Sequence, residues 1–444
     1  MSFPSYLEYK DSGVEWLGEV PLHWQIKALR YLSVCLDGKR IPLNGEQRAD
    51  KQGDIPYWGA NAIMDYVDEA IFDEELLLVG EDGAPFLDPL KPVAFHSSGP
   101  VWPNNHIHVL RPNKPEWVRF LVYAMNAADY ANYIEGSTRQ KLNQSRLMGI
   151  PVSWPSYTEQ TQIARFLDHE TARIDALIEE QQRLIELLKE KRQALISLAV
   201  TKGLDPTVPM KDSGVEWLGE VPAHWTVSPL KFLVEEKVAG PYGASLTKAM
   251  YTDSGYRVYG QQQVISDDFS IGDYYISEEK FSEMQRYVVF PGDVLVSVMG
   301  TIGRVSVVPF GVEVGIINPR LVRYKFSSSK VTPEFVKILL MSLRYQSRLR
   351  EESQGSTMEG LNMVILGDLP LVLPPLDIQR AIVSVVKDYD LGFEELVGHA
   401  ESAVALLQER RSALISAAVT GKIDVRGWQP PASATPPELA QEAV

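Results

Sequence analysis

At 444 residues, 45% apolar and 23% charged, the chain exceeds the ~250–300 residues at which single hydrophobic cores divide, which excludes wholesale disorder and implies at least two globular domains. Cys35 is the only cysteine, which excludes an intramolecular disulfide and a cysteine-based zinc cluster and fits a reducing cytoplasm. Export and membrane spanning are not expected, for want of a leader-like N-terminus or a run of ~18 apolar residues, and the net charge of −15, split as 21 basic and 29 acidic residues up to residue 209 and 22 and 29 beyond, argues against a basic nucleic-acid clamp in either half.

The chain contains itself twice. Lys10–Pro21 reads KDSGVEWLGEVP and returns letter for letter at Lys211–Pro222, with His23-Trp24 returning as His224-Trp225, at an offset of 201. A GST block at Gly136–Thr138 recurs at Gly355–Thr357, followed by Leu142-Asn143 against Leu361-Asn362 and Pro151 against Pro370, at an offset of 219. The same 219 carries KRQALISLAVTKGLD from Lys191 onto RRSALISAAVTGKID from Arg410, so the 18-residue difference falls inside the divergent stretches 25–135 and 226–354. Constant segments preserve a frame, while unequal ones present different surfaces. Drift of a duplicated structural domain is the plainer alternative.

Within the first divergent stretch, acidic residues crowd between Asp65 and Asp82, which leaves other surfaces less negative. Lys39-Arg40 follow the first strand-like segment, and Tyr57-Trp58-Gly59-Ala60-Asn61 reads as a turn bearing an amide, with Tyr259-Gly260-Gln261-Gln262-Gln263 as its counterpart. Gly80–Gly83 and Gly300–Gly303 resemble phosphate loops, but they sit in the β-like runs LLLVGEDGAPFL and DVLVSVMGTIGRVSVV, so tight hairpin turns are expected. His106 and His108 in NNHIHVL could form a metal pair; with no third ligand at suitable spacing, ordinary strand histidines are the better reading.

After Pro155 the pattern turns helical, with Thr158 as N-cap. Ile174, Leu177, Gln181, Leu184, Leu188, Lys191, Leu195 and Leu198 alternate steps of three and four, a heptad seam with two polar interruptions. Ile382, Tyr389, Phe393, Leu396, Ala400, Ala403, Leu407, Arg410, Leu414 and Ala417 follow nearly the same rhythm, weakened by Gly392 and Gly398. Lys191 and Arg410 at equivalent seam positions suggest a register or packing role. A helix from Glu159 to Thr201 would extend roughly 60 Å. The expected architecture is α/β or α+β: two repeated domains at 1–157 and 206–375, helical spacers at 158–205 and 376–425, and a disordered Pro/Ala-rich tail at 426–444. If the two long helices pair antiparallel, the repeats become pseudo-two-fold related and the rod sets a spacing between two readers.

The doubled opening motif, the GSTRQKLN block, the PSYTEQTQIARFLD helix start and the KEKRQALISLAVTKGL helix end resemble type I restriction specificity subunits over residues 6–425. The resemblance implies two target-recognition domains separated by antiparallel helices that dock two methylation subunits. It further implies that the chain reads a split, asymmetric double-stranded DNA site, while partners bind S-adenosylmethionine and methylate adenine and restriction subunits add ATP- and Mg2+-dependent translocation and cleavage. No cofactor, metal or catalytic residue is expected in this chain. The second copy departs from the pattern, with Met358-Glu359-Gly360 where the first has Arg139-Gln140-Lys141.

Catalytic motifs are accordingly absent from the sequence. Asn318-Pro319-Arg320 does not match an adenine-methyltransferase motif, no GxxxxGK[ST] loop occurs, and Glu278-Glu279-Lys280 with Asp273 only imitates a nuclease triplet. Amides suit adenine and cations suit guanine or phosphate. The candidate DNA contacts are therefore Lys39, Arg40, Tyr57, Trp58 and Asn61 and, in the second copy, Tyr259, Gln261, Gln262 and Gln263, with a solvated turn as the alternative. Arg139, Lys141 and Arg146, and Arg344 and Arg348, are candidate phosphate contacts, with an exposed helix face as the alternative. A duplicated protein-binding scaffold that never touches DNA remains the competing function, favoured by the net charge. The target sequence is not legible.

Overall fold

The computed structural model describes residues 3–136, 139–354 and 360–431. Ser137 and Thr138 of the first GST block, Gly355–Glu359 around the second, and 432–444 of the expected tail lie outside the described residues. The chain forms two compact units, Met1–Arg183 with Ala400–Val444, and Leu184–His399.

In the first unit, continuous apolar runs make buried strands, as a sheet covered on both faces requires. Leu76–Gly80, buried at every position, lies between Ile107–Pro112 and Ala94–Ser97, with Ser33–Cys35 on the far edge, all antiparallel. A second sheet runs Ile63–Val67, Gln52–Trp58, Pro100–Pro103, Phe72–Asp73, and its middle pair is parallel. The second unit repeats the plan. Val294–Ser297, again wholly buried, lies between Leu321–Phe326 and Val305–Val307, with Val234–Ala239 beyond. Its smaller sheet runs Tyr275–Ile276, Tyr256–Tyr259, Gly315–Ile317, also with one parallel pair. The segments 81–93 and 298–304 join antiparallel neighbours, so both glycine-containing loops are hairpin connections, though longer than the tight turns expected.

Two long helices, Tyr157–Lys202 and Leu376–Val419, are each divided by the boundary between units. The N-cap of the first is Ser156 rather than Thr158. Ser156 and Glu159 bond reciprocally, side chain to backbone, in a capping box. The second helix runs unbroken through Gly392 and Gly398. In the first unit Gln162 Nε2 reaches the Val425 and Trp428 carbonyls while Asp175 Oδ1 meets Arg411 Nε at 2.8 Å, so the helices run antiparallel there. In the second unit Arg192 pairs with Asp390, and Ile196 and Val200 share a core with Ile382 and Val386, with the same sense.

The heptad seam exists, but half of its positions are displaced by one residue from the sequence reading. Leu177, Leu184 and Leu198 are exposed, as are Tyr389 and Leu396, and Lys191 and Arg410 face solvent. The inward residues are Ile178, Ile185, Arg192 and Ala199, and their equivalents at offset 219, Val397, Val404, Arg411 and Ala418. The seam positions expected of Lys191 and Arg410 are therefore occupied by their neighbours Arg192 and Arg411.

Each opening motif receives a helix end. Ile415, Ala418 and Val419 join Trp24, Phe120 and Phe166 in the core of the first unit, and Ile196, Ala199 and Val200 join Leu218, Val221 and Trp225 in that of the second. Lys422 Nζ donates to the Glu19 carbonyl, and Lys202 Nζ donates to that of Glu220. The bonds are equivalent although one copy reads TKG and the other TGK. Gly421, at φ +72°, ends its helix where a Cβ would lie 2.3 Å from Pro21 Cδ. The tail begins later than expected, since Trp428 packs edge-on against Phe166.

Candidate nucleic-acid interface

At the end of each parallel strand pair, four loops converge on a turn anchored by asparagine. In the first unit the Asn104 N–H donates to the Trp58 carbonyl (2.9 Å), and its side-chain oxygen accepts from the His106 N–H (2.7 Å). The His106 carbonyl accepts from the Glu81 N–H (2.9 Å), and the Glu81 carbonyl accepts from the Leu142 N–H (2.7 Å). The second unit repeats all four bonds. Asn318 N–H to Tyr259 is 2.8 Å, Arg320 N–H to Asn318 Oδ1 2.9 Å, Val298 N–H to Arg320 3.0 Å and Leu361 N–H to Val298 2.9 Å. This correspondence makes Gly300 the equivalent of Gly83, both at φ +70°, where only glycine turns without strain. Asn104 and Asn318 are buried and half-buried beneath exposed loop tips.

Around the first turn the charges are mutually satisfied. Asp82 holds His106 Nδ1 at 2.6 Å and Arg139 at 3.3 Å; Glu81 holds Arg40 at 2.6 Å and Lys141 at 3.1 Å. Beneath it lie Cys35, Asp37 and His108, whose ligand-type atoms fall within 4.8 Å of one another. They are poorly suited to a metal. Both ring nitrogens of His108 face oxygens, Asp37 Oδ2 at 2.5 Å and the Leu142 carbonyl at 2.7 Å, and the Arg40 guanidinium stands 3.6 Å from Asp37. Burial pushes the Cys35 thiol up to about 12, so the thiolate that a metal needs is disfavoured. Burial would also raise the Asp37 carboxyl, but hydrogen bonds from His108 and the Val109 N–H outweigh it and hold the group below its ordinary value. The result is a buried polar brace under the loops.

Several residues expected at DNA are instead structural. Tyr57 and Tyr259 are 1% and 0% exposed, and their hydroxyls are bonded to Leu43 and to the Glu313 carbonyl. Gln263, 3% exposed, caps its own helix through the Gly260 N–H and donates to Ile271. Arg40 is enclosed by Glu81, Asp37 and the Ile107 carbonyl. Trp58 is half-buried and packs on Phe95. The polar groups of Tyr57, Tyr259, Gln263 and Arg40 are thus already engaged within the fold.

The remaining candidates stay at the surface. Asn61 is exposed and donates to the Gly83 carbonyl at 3.1 Å, bringing it to the same loop cluster as Arg139 and Lys141. Gln261 plays the matching part in the second unit, donating to the Met299 and Thr301 carbonyls, while Gln262 is exposed. Lys39 is exposed on the turn Asp37–Lys39. Arg146 pairs with Glu135 at 2.7 Å, and Arg348 with Glu351 and Glu352. Arg344 lies apart from the turn, donating to the Leu218 carbonyl of the opening motif. Glu278-Glu279-Lys280 opens a short helix capped by Ser277, with Lys280 on Glu283. Sequence reasoning missed Asn104, Asn318 and Arg320. The signal was an asparagine two residues before a basic side chain, directly after a strand.

Comparison with known proteins agrees with this plan. The family model described as type I restriction modification DNA specificity domain matches residues 21–188 and 243–401. The Haemophilus influenzae protein named type I restriction enzyme specificity subunit S.HindORF215P is 25% identical over 381 residues, 85% of this chain and 88% of its own. The Methanocaldococcus jannaschii protein named type I restriction enzyme MjaX specificity subunit is 24% identical over 434 residues, 92% and 96% of the two chains. Among solved structures, the HsdS subunit from Thermoanaerobacter tengcongensis shares the fold at a TM-score of 0.51 and 15% identity, covering 91% of this chain and 98% of that one. A chain from a type I R-M complex-assembly study aligns at 0.59 and 16% identity, covering 90% and 98%. Two matched segments that together take in most of the sequence, on a duplicated mixed α/β frame with paired long helices, make this chain a member of the type I restriction-modification specificity family, a non-catalytic S subunit.

Proposed function

We propose that this chain reads a bipartite, asymmetric double-stranded DNA site, one half per unit, and directs two methylation subunits and the restriction subunits to it. The observation that carries the reading is the asparagine-anchored turn, built with the same four hydrogen bonds in both units, three between backbone groups and one to the asparagine side chain, yet carrying different side chains. A constant mount with unlike contents is what two independent readers need. The recognition domains are taken as 1–157 and 206–375, with 158–205 and 376–425 as the helical spacers. Lys39, Asn61, Arg139, Lys141, Arg146, Gln262 and Arg344 are exposed candidates for DNA contact. Arg139 and Lys141 already rest on carboxylates, so a phosphate would exchange for Asp82 or Glu81 rather than meet bare cations. S-adenosylmethionine, ATP and Mg2+ belong to the partner subunits in this reading.

The same pairing of cations, with the net charge of −15, favours a second reading, a protein-binding scaffold indifferent to DNA. Selection from a random duplex library by the chain co-purified with its methylation subunits separates the two. A two-part motif with a fixed gap is expected. A stable complex that enriches no motif would leave the scaffold.

A further inference from the structure

We propose that the third residue of each asparagine-anchored turn, His106 in the first unit and Arg320 in the second, is the specificity-determining side chain of that unit, and that Arg320 recognises a guanine. This rests on the reading of the chain as a two-part DNA reader.

The backbone of this residue is held on both sides. Its N–H is bound by the asparagine side chain and its carbonyl by the N–H of the neighbouring loop, Glu81 or Val298. The direction of the Cα–Cβ bond is thereby set by the frame, whatever side chain is attached. What the frame carries is what differs, an imidazole in one unit and a guanidinium in the other. A position of fixed backbone and free choice of side chain can alter a recognised base without disturbing the fold.

The surroundings of each side chain are adapted to it. Arg320 is exposed, and among the described residues no carboxylate lies within ion-pair distance of it, unlike Arg139, Lys141 and Arg146. Among the described residues its one side-chain hydrogen bond is to Gln261 Oε1, 3.4 Å from Nη1, and the Tyr251 hydroxyl lies within its electrostatic reach. The planar fork therefore retains free donors of the kind that match O6 and N7 of guanine in the major groove. Gln261, by contrast, has no edge left for a base. Its amide nitrogen donates to the Met299 and Thr301 carbonyls, and its oxygen faces Arg320, which makes it a positioning residue. In the first unit Asp82 takes Nδ1 of His106, a partly exposed ring whose Nε2 has no hydrogen-bond partner among the described residues. The imidazole is shorter than the guanidinium, so the first unit needs a closer approach to its base pair.

The test uses the chain with its methylation subunits and random-duplex selection at moderate salt, for the unaltered protein and for Arg320→Gln, Gln261→Ala and His106→Gln. Arg320→Gln is expected to lose guanine preference at a single position in one half-site, with discrimination there falling about 10- to 100-fold, while gap and other half persist. Gln261→Ala should blunt the same position, which a merely structural role would not single out. His106→Gln should alter only the opposite half. Persistence of the untouched half reports that each variant has folded and assembled. An unchanged motif in Arg320→Gln, or equal weakening on all sequences with the motif intact, would overturn the proposal and make Arg320 a bystander or a phosphate contact. Failure of the unaltered protein to select any two-part motif would instead remove the DNA-reading function itself, a result visible before any variant is examined.

Discussion

Arg192 and Asp390 meet at 2.7 Å, and Arg411, which stands at the same place as Arg192 in the second copy of the helix-end motif, pairs with Asp175; the acids are not equivalent, since Asp390 corresponds to Thr171 and Asp175 to Glu394. Each joins the two long helices within its own unit. The Arg192 and Asp390 side chains are 41% and 32% exposed, so solvent screens much of their attraction. Arg192→Met is expected to cost under about 1 kcal/mol, with a coupling to Asp390 of roughly 0.5 kcal/mol in a double-mutant cycle read by urea unfolding. A coupling several times larger would mean that the pair sets register rather than merely tolerating it.

The helix phase gives a sharper contrast. Ile185 is 8% exposed and its neighbour Leu184 is 42% exposed. Ile185→Ala should destabilise by about 2–5 kcal/mol and Leu184→Ala by less than about 1. Equal losses in thermal melts would return the seam to the leucines.

Glu159 ties the first opening motif to its helix. Burial alone would raise its carboxyl, but hydrogen bonds from His23, Ser156 and Trp24 outweigh it and hold the group below the ordinary 4.5. The native state then binds a proton less readily than the unfolded chain. Its contribution is present above that ordinary value and is lost as pH falls through the lower, folded one. Glu159→Gln should therefore be less stable than the unaltered chain at pH 7, with the gap closing in acid. A gap independent of pH between 7 and 3 would show that the carboxylate charge is immaterial. Ile378 occupies the equivalent position in the second copy, so no matching acid dependence arises there.

Inside the second unit, Arg323 and Asp293 are 2% and 3% exposed and 3.0 Å apart, and burial raises the Asp293 carboxyl despite the pairing. The first unit carries Val109 and Leu76 at the corresponding register positions. Asp293→Leu alone leaves a buried guanidinium with only Glu236 and should cost about 3–5 kcal/mol, whereas Asp293→Leu with Arg323→Val restores the apolar solution and should recover most of the loss. No recovery in the double variant would mean that the pair holds the strand in place.

The duplication and the two long helices were legible because identical motifs and heptad rhythm survive in the letters, whereas their antiparallel sense came only with the family resemblance. The seam was misplaced where the sequence offers Leu177-Ile178 and Leu184-Ile185 side by side. Either member satisfies a three-four alternation, and only packing chooses the β-branched one. The interface was harder to read. Asn104 and Asn318 are related by an offset of 214, between the 201 and 219 of the constant blocks, so no alignment of the divergent stretches was available to pair them. Tyr57, Tyr259 and Gln263 were chosen for chemistry that their burial withdraws. Residue type suggests what a side chain can do, and only its neighbours decide whether it is free to do it.

The first unit joins Met1–Arg183 to Ala400–Val444, and its core includes Ile415, Ala418 and Val419. On a ribosome this reverses the usual order of completion. Residues that fill the first core emerge only after the whole second unit has been made, a delay on the order of 10–40 seconds at about 5–20 residues per second. The domain translated first is thus the last to close, and until then Trp24 and Phe166 await a helix that has not yet been synthesised.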